Sequence, residues 1–423
     1  MTDLSITITI LGCTILAFVS GAVPFSLISS GIILSLIITG VQSPTEALSG
    51  FINPNVAMFV AMFVIGAGLT KTSILDRVQL LVIKYKDKPK VLILIASFSA
   101  ALLAILTSST AAAAIMLPLI IGVANEIGVS RSKLLFPAMI VANVATGMTF
   151  LGQGASNMAF SEVMMKAGGT IPFTIWDFTL ARLPFFAISL IYVSVIGGRL
   201  LPDNPNDGFE DKVQQKKSAT LTGSKEVLAL FIVVGTIVAM LFAKQLGLRM
   251  FVIAGIGACL LMAFKILTER EALGSIHGPT VFLFAGVLPL SAAMKSTGAG
   301  TVVADQMIAL LGNTTNPYII MAVFFIAPLI LTQLMSNLAT ILIFVPLVSA
   351  AGATIGIDPR ALVMGVLIAG CASILTPMAA PAQAIIMGPG GYKLKDYLKA
   401  GLPLTIIITV VAIFLLPVIY PFH

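Results

Sequence analysis

Charge is what this chain has least of. Asp, Glu, Lys and Arg make up 10% of its 423 residues, histidine occurs twice, tryptophan once and cysteine three times. So thin a supply of polar chemistry excludes several classes of function. There is no HExxH to hold a catalytic zinc and no GxSxG to carry a nucleophilic serine, so metalloprotease and serine hydrolase chemistry lack their parts. Cys13, Cys259 and Cys371 fall in separate apolar stretches and are read as small buried hydrophobes, not as a disulfide framework or a metal set. Alternation of period two is missing as well. Residues 91–106 run apolar without it, which argues against a membrane β-barrel.

What the chain does have is hydrophobicity. It is 58% hydrophobic with a mean hydropathy of +1.08, and apolar runs near the ~20 residues of a bilayer crossing recur from end to end. The expected fold class is an all-α polytopic membrane protein. No Arg-containing n-region with a small-residue cleavage site opens the sequence, so the first apolar run is read as a span and not as a removable signal. The net charge of +7 takes its meaning from where the charges sit, not from nucleic-acid binding.

The sequence also repeats itself. EALSGFINPNV at 46–56 matches EALGSIHGPTV at 271–281, a displacement of 225 residues. SSTAAAAIMLP at 108–118 matches SNLATILIFVP at 336–346, and IGVSRSKLL at 127 matches IGIDPRALV at 355, both displaced by 228. The steady displacement predicts a first repeat over 1–201, a hydrophilic cytoplasmic linker over 202–225 and a second repeat over 226–423. Orientation follows from the basic residues. If residues 71–90 are cytoplasmic and the TSST (107–110) and MSNL (335–338) quartets are tips of re-entrant helical hairpins, 18 Lys and Arg lie inside and six outside, Arg182 among the latter. That layout puts both termini outside and inverts the second repeat relative to the first, the pattern of secondary transporters.

Hairpin tips at membrane depth need polar surroundings, so they imply a site. Helices beginning after Ser108 and Ser336 would aim unpaired N–H groups and a positive dipole end at the midplane, which favours an anion. Ser108, Ser109, Thr110, Ser336 and Asn337 can cap those helices and offer oxygens to sodium, although buried Ser, Thr and Asn also serve simply as glue between helices. Each half carries a second break, near 147–157 (TGMTFLGQGASN, from 146) and near 376–383 (SILTPMAAPAQ, from 373). These bring Thr149, Gln153, Ser156, Asn157, Thr376 and Gln383 to mid-membrane depth, with Pro377 and Ala379 in the second break. On this topology no carboxylate, histidine, Lys or Arg stands at the midplane, so proton coupling is disfavoured against sodium, and helix ends and amides carry anion recognition.

These residues resemble the divalent anion/sodium symporters of the ion transporter superfamily, carriers of dicarboxylates or sulfate. The resemblance runs from EALSGFINPNVAMFVAMFVIGAGLTKTSILDR through the hairpins to TPMAAPAQAIIMG. It implies a homodimer in the cell membrane, with a scaffold domain at the interface and a transport domain that moves like an elevator. A Ser-Asn-Thr motif at each tip then serves two sodium sites and the substrate. Carried over, the sodium ligands are Ser108, Ser109, Thr332, Ser336, Asn337 and Ala379, and the residues beside the small anionic substrate are Ser109, Thr110, Asn337, Leu338, Gln153, Ser156, Asn157, Pro377 and Gln383. The second sodium set is intact. In the first motif Asn is replaced by Ser109 and the hydroxyl one turn earlier by Ala104; in the second, Thr is replaced by Leu338. Sodium acts here as coupling ion, and no cofactor is expected.

Other readings remain. A channel would want a continuous polar lining, whereas polar residues here cluster at four breaks. A sodium-independent exchanger or an arsenite/oxyanion permease of the same superfamily would share the repeat without the paired motif. Residues 73–85 (SILDRVQLLVIKY) are expected to form a scaffold arm or an amphipathic surface helix, with 302–311 in the equivalent place, and Trp176 and Tyr192 to serve as interface or packing aromatics.

Overall fold

The computed structural model describes residues 2–422 except 21, 74–88, 150, 198–199, 204–220, 222, 244, 277, 311–313, 315, 334–335 and 378. Among the described residues regular structure is helical throughout. The first half contains α1 (Asp3–Ser20), α2 (Phe25–Ile38), the short α3 (Pro44–Ala47), α4 (Pro54–Thr70), α5 (Pro89–Leu106), α6 (Ser109–Ile127), α7 (Ser132–Ala145), a 3-10 turn (Gly152–Ser156), α8 (Asn157–Lys166) and α9 (Ile175–Tyr192). The second half contains α10 (Ser224–Leu241), α11 (Met250–Ala263), α12 (Glu269–Ser275), α13 (Gly278–Ser296), α14 (Ala299–Leu310), α15 (Pro317–Thr332), α16 (Asn337–Thr354), α17 (Arg360–Cys371), α18 (Pro381–Met387) and α19 (Leu394–Ile419). The expected amphipathic arm lies, from residue 74 on, outside the described residues, as does most of the linker; 302–310 falls in α14.

Ile175–Val195, Asn337–Thr354 and Leu394–Ile419 are long and apolar enough to cross a membrane, and nine further apolar helical stretches run 10–17 residues. Exposed Leu16, Leu34, Ile38, Phe231, Ile330, Phe414 and Val418 give the outside an apolar surface suited to lipid. Two of the cysteines contradict the expectation of burial. Cys13 and Cys259 are exposed, Cys371 is half-buried, and all three are free. An apolar span fixes how deep a residue sits but not which way it faces, and a thiol tolerates a lipid-facing position as well as a core one.

Several helix starts are written locally and twice. Ser43 and Glu46 form a capping box on α3, and Thr268 and Glu271 form the same box on α12, 225 residues on. The α9 and α19 starts match too, with Asp177 and Asp396 bonding back to Thr174 and Lys393. Glu271 also pairs with Lys71 at 2.6 Å. That ammonium, with the Thr268 backbone and hydroxyl, holds the carboxyl down to about 2. Because its folded value is depressed, the cap's contribution to stability is present above the ordinary carboxylate range and is lost only as pH falls toward 2.

Packing joins the halves by exchange of partners. α2 lies on α13 while α11 lies on α4; α8 lies on α16 while α18 lies on α6; α1 lies on α13 while α10 lies on α4. Within each half α5 packs on α7 and α15 on α17. Asn143 of α7 crosses the join, donating through Nδ2 to Ser373 O (3.0 Å) and Oγ (2.8 Å), with Asn143 and Ser373 both almost fully buried. Asn143→Leu should lower stability by about 1–3 kcal/mol, since it strands the Ser373 acceptors. A melting temperature in detergent unchanged from wild type would show that this bond does not tie the halves together.

Candidate functional site

Both hairpin helices begin in the same way. Ser108 (φ −161°, ψ 161°) accepts the Ala111 N–H at 3.1 Å, and Ser336 (φ −64°, ψ 144°) accepts the Ala339 N–H at 3.3 Å. A serine N-cap satisfies one of the orphan donors of a helix start; the dipole's positive end still faces the tip. Both caps lie where the quartets predicted them.

At the second tip, oxygens converge. Thr332, fully buried at the end of α15, donates from Oγ1 to Asn337 Oδ1 (3.2 Å) and Gly370 O (3.3 Å). The next residue, Gln333, was not singled out by sequence, yet it fastens the tip to the second break. Its Nε2 donates to Ala372 O (3.3 Å), its Oε1 accepts the Leu375 N–H (3.0 Å), and its carbonyl accepts the Thr376 hydroxyl (2.6 Å). A polar residue beside a predicted ligand in an otherwise apolar helix end was the available signal. Leu338 is half-buried and packs against the apolar core.

The second break covers 372–380, beginning four residues before the expected stretch. Pro377 is half-buried in it, and Ala379 is fully buried, its N–H directed at Thr376 O (3.4 Å). Gln383, on α18, has zero exposure, and neither Oε1 nor Nε2 has a hydrogen-bond partner. Native proteins rarely leave a buried amide unpaired.

The first tip and first break are in contact. Gly152 sits at φ +52°, and a Cβ placed on it would fall 2.2 Å from Thr107 O. Asn157 spans the break, donating to Gly147 O at 2.7 Å, and Ser156 is buried beside it, while Gln153 lies in the 3-10 turn. Ser109 is buried, Thr110 is half-buried, and Ala104 is fully buried in α5. This tip therefore shows fewer converging side-chain oxygens than the second.

Arg182 overturns one expectation. Read as an outside residue, it is only 2% exposed and donates from Nη1 to Thr146 O at 2.7 Å, at the start of the first break. Two helical turns separate it from the α9 start, enough to carry a long side chain into the protein interior. A basic side chain is thus available inside. Trp176 is exposed and Tyr192 is buried, donating to Ala400 O at 2.6 Å, so neither lies at the breaks.

Comparison with known proteins follows from this geometry. The sequence family described as Citrate transporter (CitMHS) matches residues 15–367. An uncharacterized transporter of Escherichia coli, YfbS, is 33% identical over 171 residues, 40% of this chain and 28% of that protein. The sodium-dependent dicarboxylate transporter SdcS of Staphylococcus saprophyticus is 25% identical over 157 residues, 36% of this chain and 30% of its own length. The chain spans less than a third of either relative. In fold it is similar to MtrF of Neisseria gonorrhoeae, from a class of antimetabolite efflux pumps, with a TM-score of 0.66 at 14% identity over 99% of this chain and 95% of that one.

Proposed function

We propose, from the premise that this multi-pass membrane chain belongs to the citrate transporter family CitMHS, that it moves a small anion across the membrane by secondary active transport coupled to sodium. The observation that carries the reading is the second tip, where Thr332, Asn337 and the Gly370 carbonyl bring oxygens together beside the capped start of α16. Neutral oxygens of this kind suit sodium, and the helix start suits the anion. The unpaired amide of Gln383 supplies a donor and an acceptor for a ligand. Sodium dependence and dicarboxylates are named for the Staphylococcus relative, and here they define the substrate class: a dicarboxylate, sulfate or related organic anion.

The exchange of packing partners between the halves supports an inverted repeat, with 1–201 and 226–423 as its units. On that basis the hairpins enter from opposite sides, both termini face outward, and the transport domain of a homodimer in the cell membrane carries the site across as an elevator. Uptake in proteoliposomes with an inward sodium gradient tests the reading, with labelled succinate, sulfate and small monoanions as substrates. Uptake should require sodium. Uptake indifferent to sodium but accelerated by internal substrate would instead make this an exchanger.

Leu338 stands where the resembling family carries a threonine, which points to a substrate with a less polar end. Leu338→Thr should improve succinate binding several-fold, about the gain from one added hydrogen bond. Succinate binding left unchanged or weakened would remove Leu338 from the specificity determinants.

A further inference from the structure

Arg182 is a buried charge that the proposed site does not use. Among the described ion pairs, Lys71–Glu271, Lys133–Asp203 and Arg360–Asp358, it takes no part. Its surroundings are helix ends. Nη1 donates to Thr146 O at 2.7 Å, just past the C-terminus of α7, and lies 3.7 Å from Sγ of Cys371, the last residue of α17. The Cys371 thiol is itself directed at Thr146 O at 3.5 Å. Two half-helices from opposite halves therefore turn their negative ends toward one guanidinium. The backbone is shaped to admit it. Gly147 adopts φ +77°, and a Cβ there would fall 2.5 Å from Nη1. The Nε is buried without a partner, so the group is not there to complete a hydrogen-bond set.

The second half shows the contrast. Residues 181–184 read ARLP and residues 400–403 read AGLP, in helices whose starts carry matching Asp caps. Arg182 thus corresponds to Gly401, and Thr146 to Ile374. A Cβ on Gly401 would fall 2.8 Å from Ile374 O, so the helix closes directly on the second break where the first half inserts a cation. The half with the glycine keeps the threonine and asparagine oxygens of its tip; the half with the arginine has Ala104 and Ser109 instead.

We infer that Arg182 is the permanent cation of the first helix break, taking the electrostatic part that a bound sodium ion plays in the second half, so that sodium activates the protein through the second half alone. This rests on the sodium-coupled reading above, but the charge itself can be tested without it. The variants are Arg182→Lys, Arg182→Gln, which keeps a donor and loses the charge, and Arg182→Gly, which copies the second half. Each is checked by gel filtration and melting, then by uptake in proteoliposomes.

Wild-type uptake should rise with sodium without cooperativity. Lys should retain uptake within a few-fold, and Gln should lose it by about 100-fold, the upper range of coupling between sites. In the Gly variant, added guanidinium should restore uptake and urea, its neutral counterpart in shape, should not. Normal uptake in Arg182→Gln, rescue by urea equal to that by guanidinium, or cooperative sodium activation in wild type would each overturn the inference. Should Arg182→Gly not fold, the Lys and Gln pair decides it. Sodium-independent uptake in wild type would refute the coupling reading and this role for sodium, while loss in Gln with rescue by guanidinium would keep Arg182 as a fixed charge of the break.

Discussion

Asn337→Ala is expected to lower sodium-stimulated uptake by at least about 100-fold, the loss associated with damage to a cation's ligand shell. The fold should survive it. Thr332 Oγ1 keeps its bond to Gly370 O at 3.3 Å, and Ser336 keeps its cap on Ala339, so the substitution removes one neutral hydrogen bond worth about 1 kcal/mol. The large effect on transport and the small effect on stability are what separate a cation ligand from helix glue. The measurement is labelled uptake at varied external sodium, beside the melting temperature of the same preparation. Sodium activation that persists with an unchanged midpoint would move the cation away from Asn337.

Gly152→Ala should do the opposite, damaging structure and transport together. The added methyl would lie 2.2 Å from Thr107 O and 2.7 Å from its C and N, backbone atoms of the first tip with no side chain to swing aside. The residue also sits at φ +52°, where a Cβ is strained. Clash and strain together predict a loss of about 2–4 kcal/mol, in the upper part of what single substitutions do. Gly122→Ala is the control. It lies in α6 with nothing within 4 Å of the new methyl, and helix propensity there predicts a gain of up to about 1 kcal/mol. Equal melting of both variants would mean that tip and break do not touch.

Much of this protein was legible in its sequence because the physics involved is local. Twenty-odd apolar residues in succession dictate a buried helix, since lipid and a protein core alike leave backbone polar groups no other partner. Ser108 and Ser336 were readable as caps because a cap acts within three residues of itself. The 228-residue displacement gave the two halves, and ARLP against AGLP stood in plain view as a further mark of it.

Only the tertiary structure decided how these pieces meet. Periodicity places a residue at a depth along its helix, but its direction depends on what that helix packs against. Hence Cys13 and Cys259 turned outward against expectation. Asn143 found Ser373 across 230 residues of chain, and Gln333 bonded to both strands of the second break through contacts that no local pattern encodes. Arg182 is the clearest case. Charge counting assigned it to the outer surface, whereas the folded chain brings two helix C-termini to it and so makes burial of its charge tolerable.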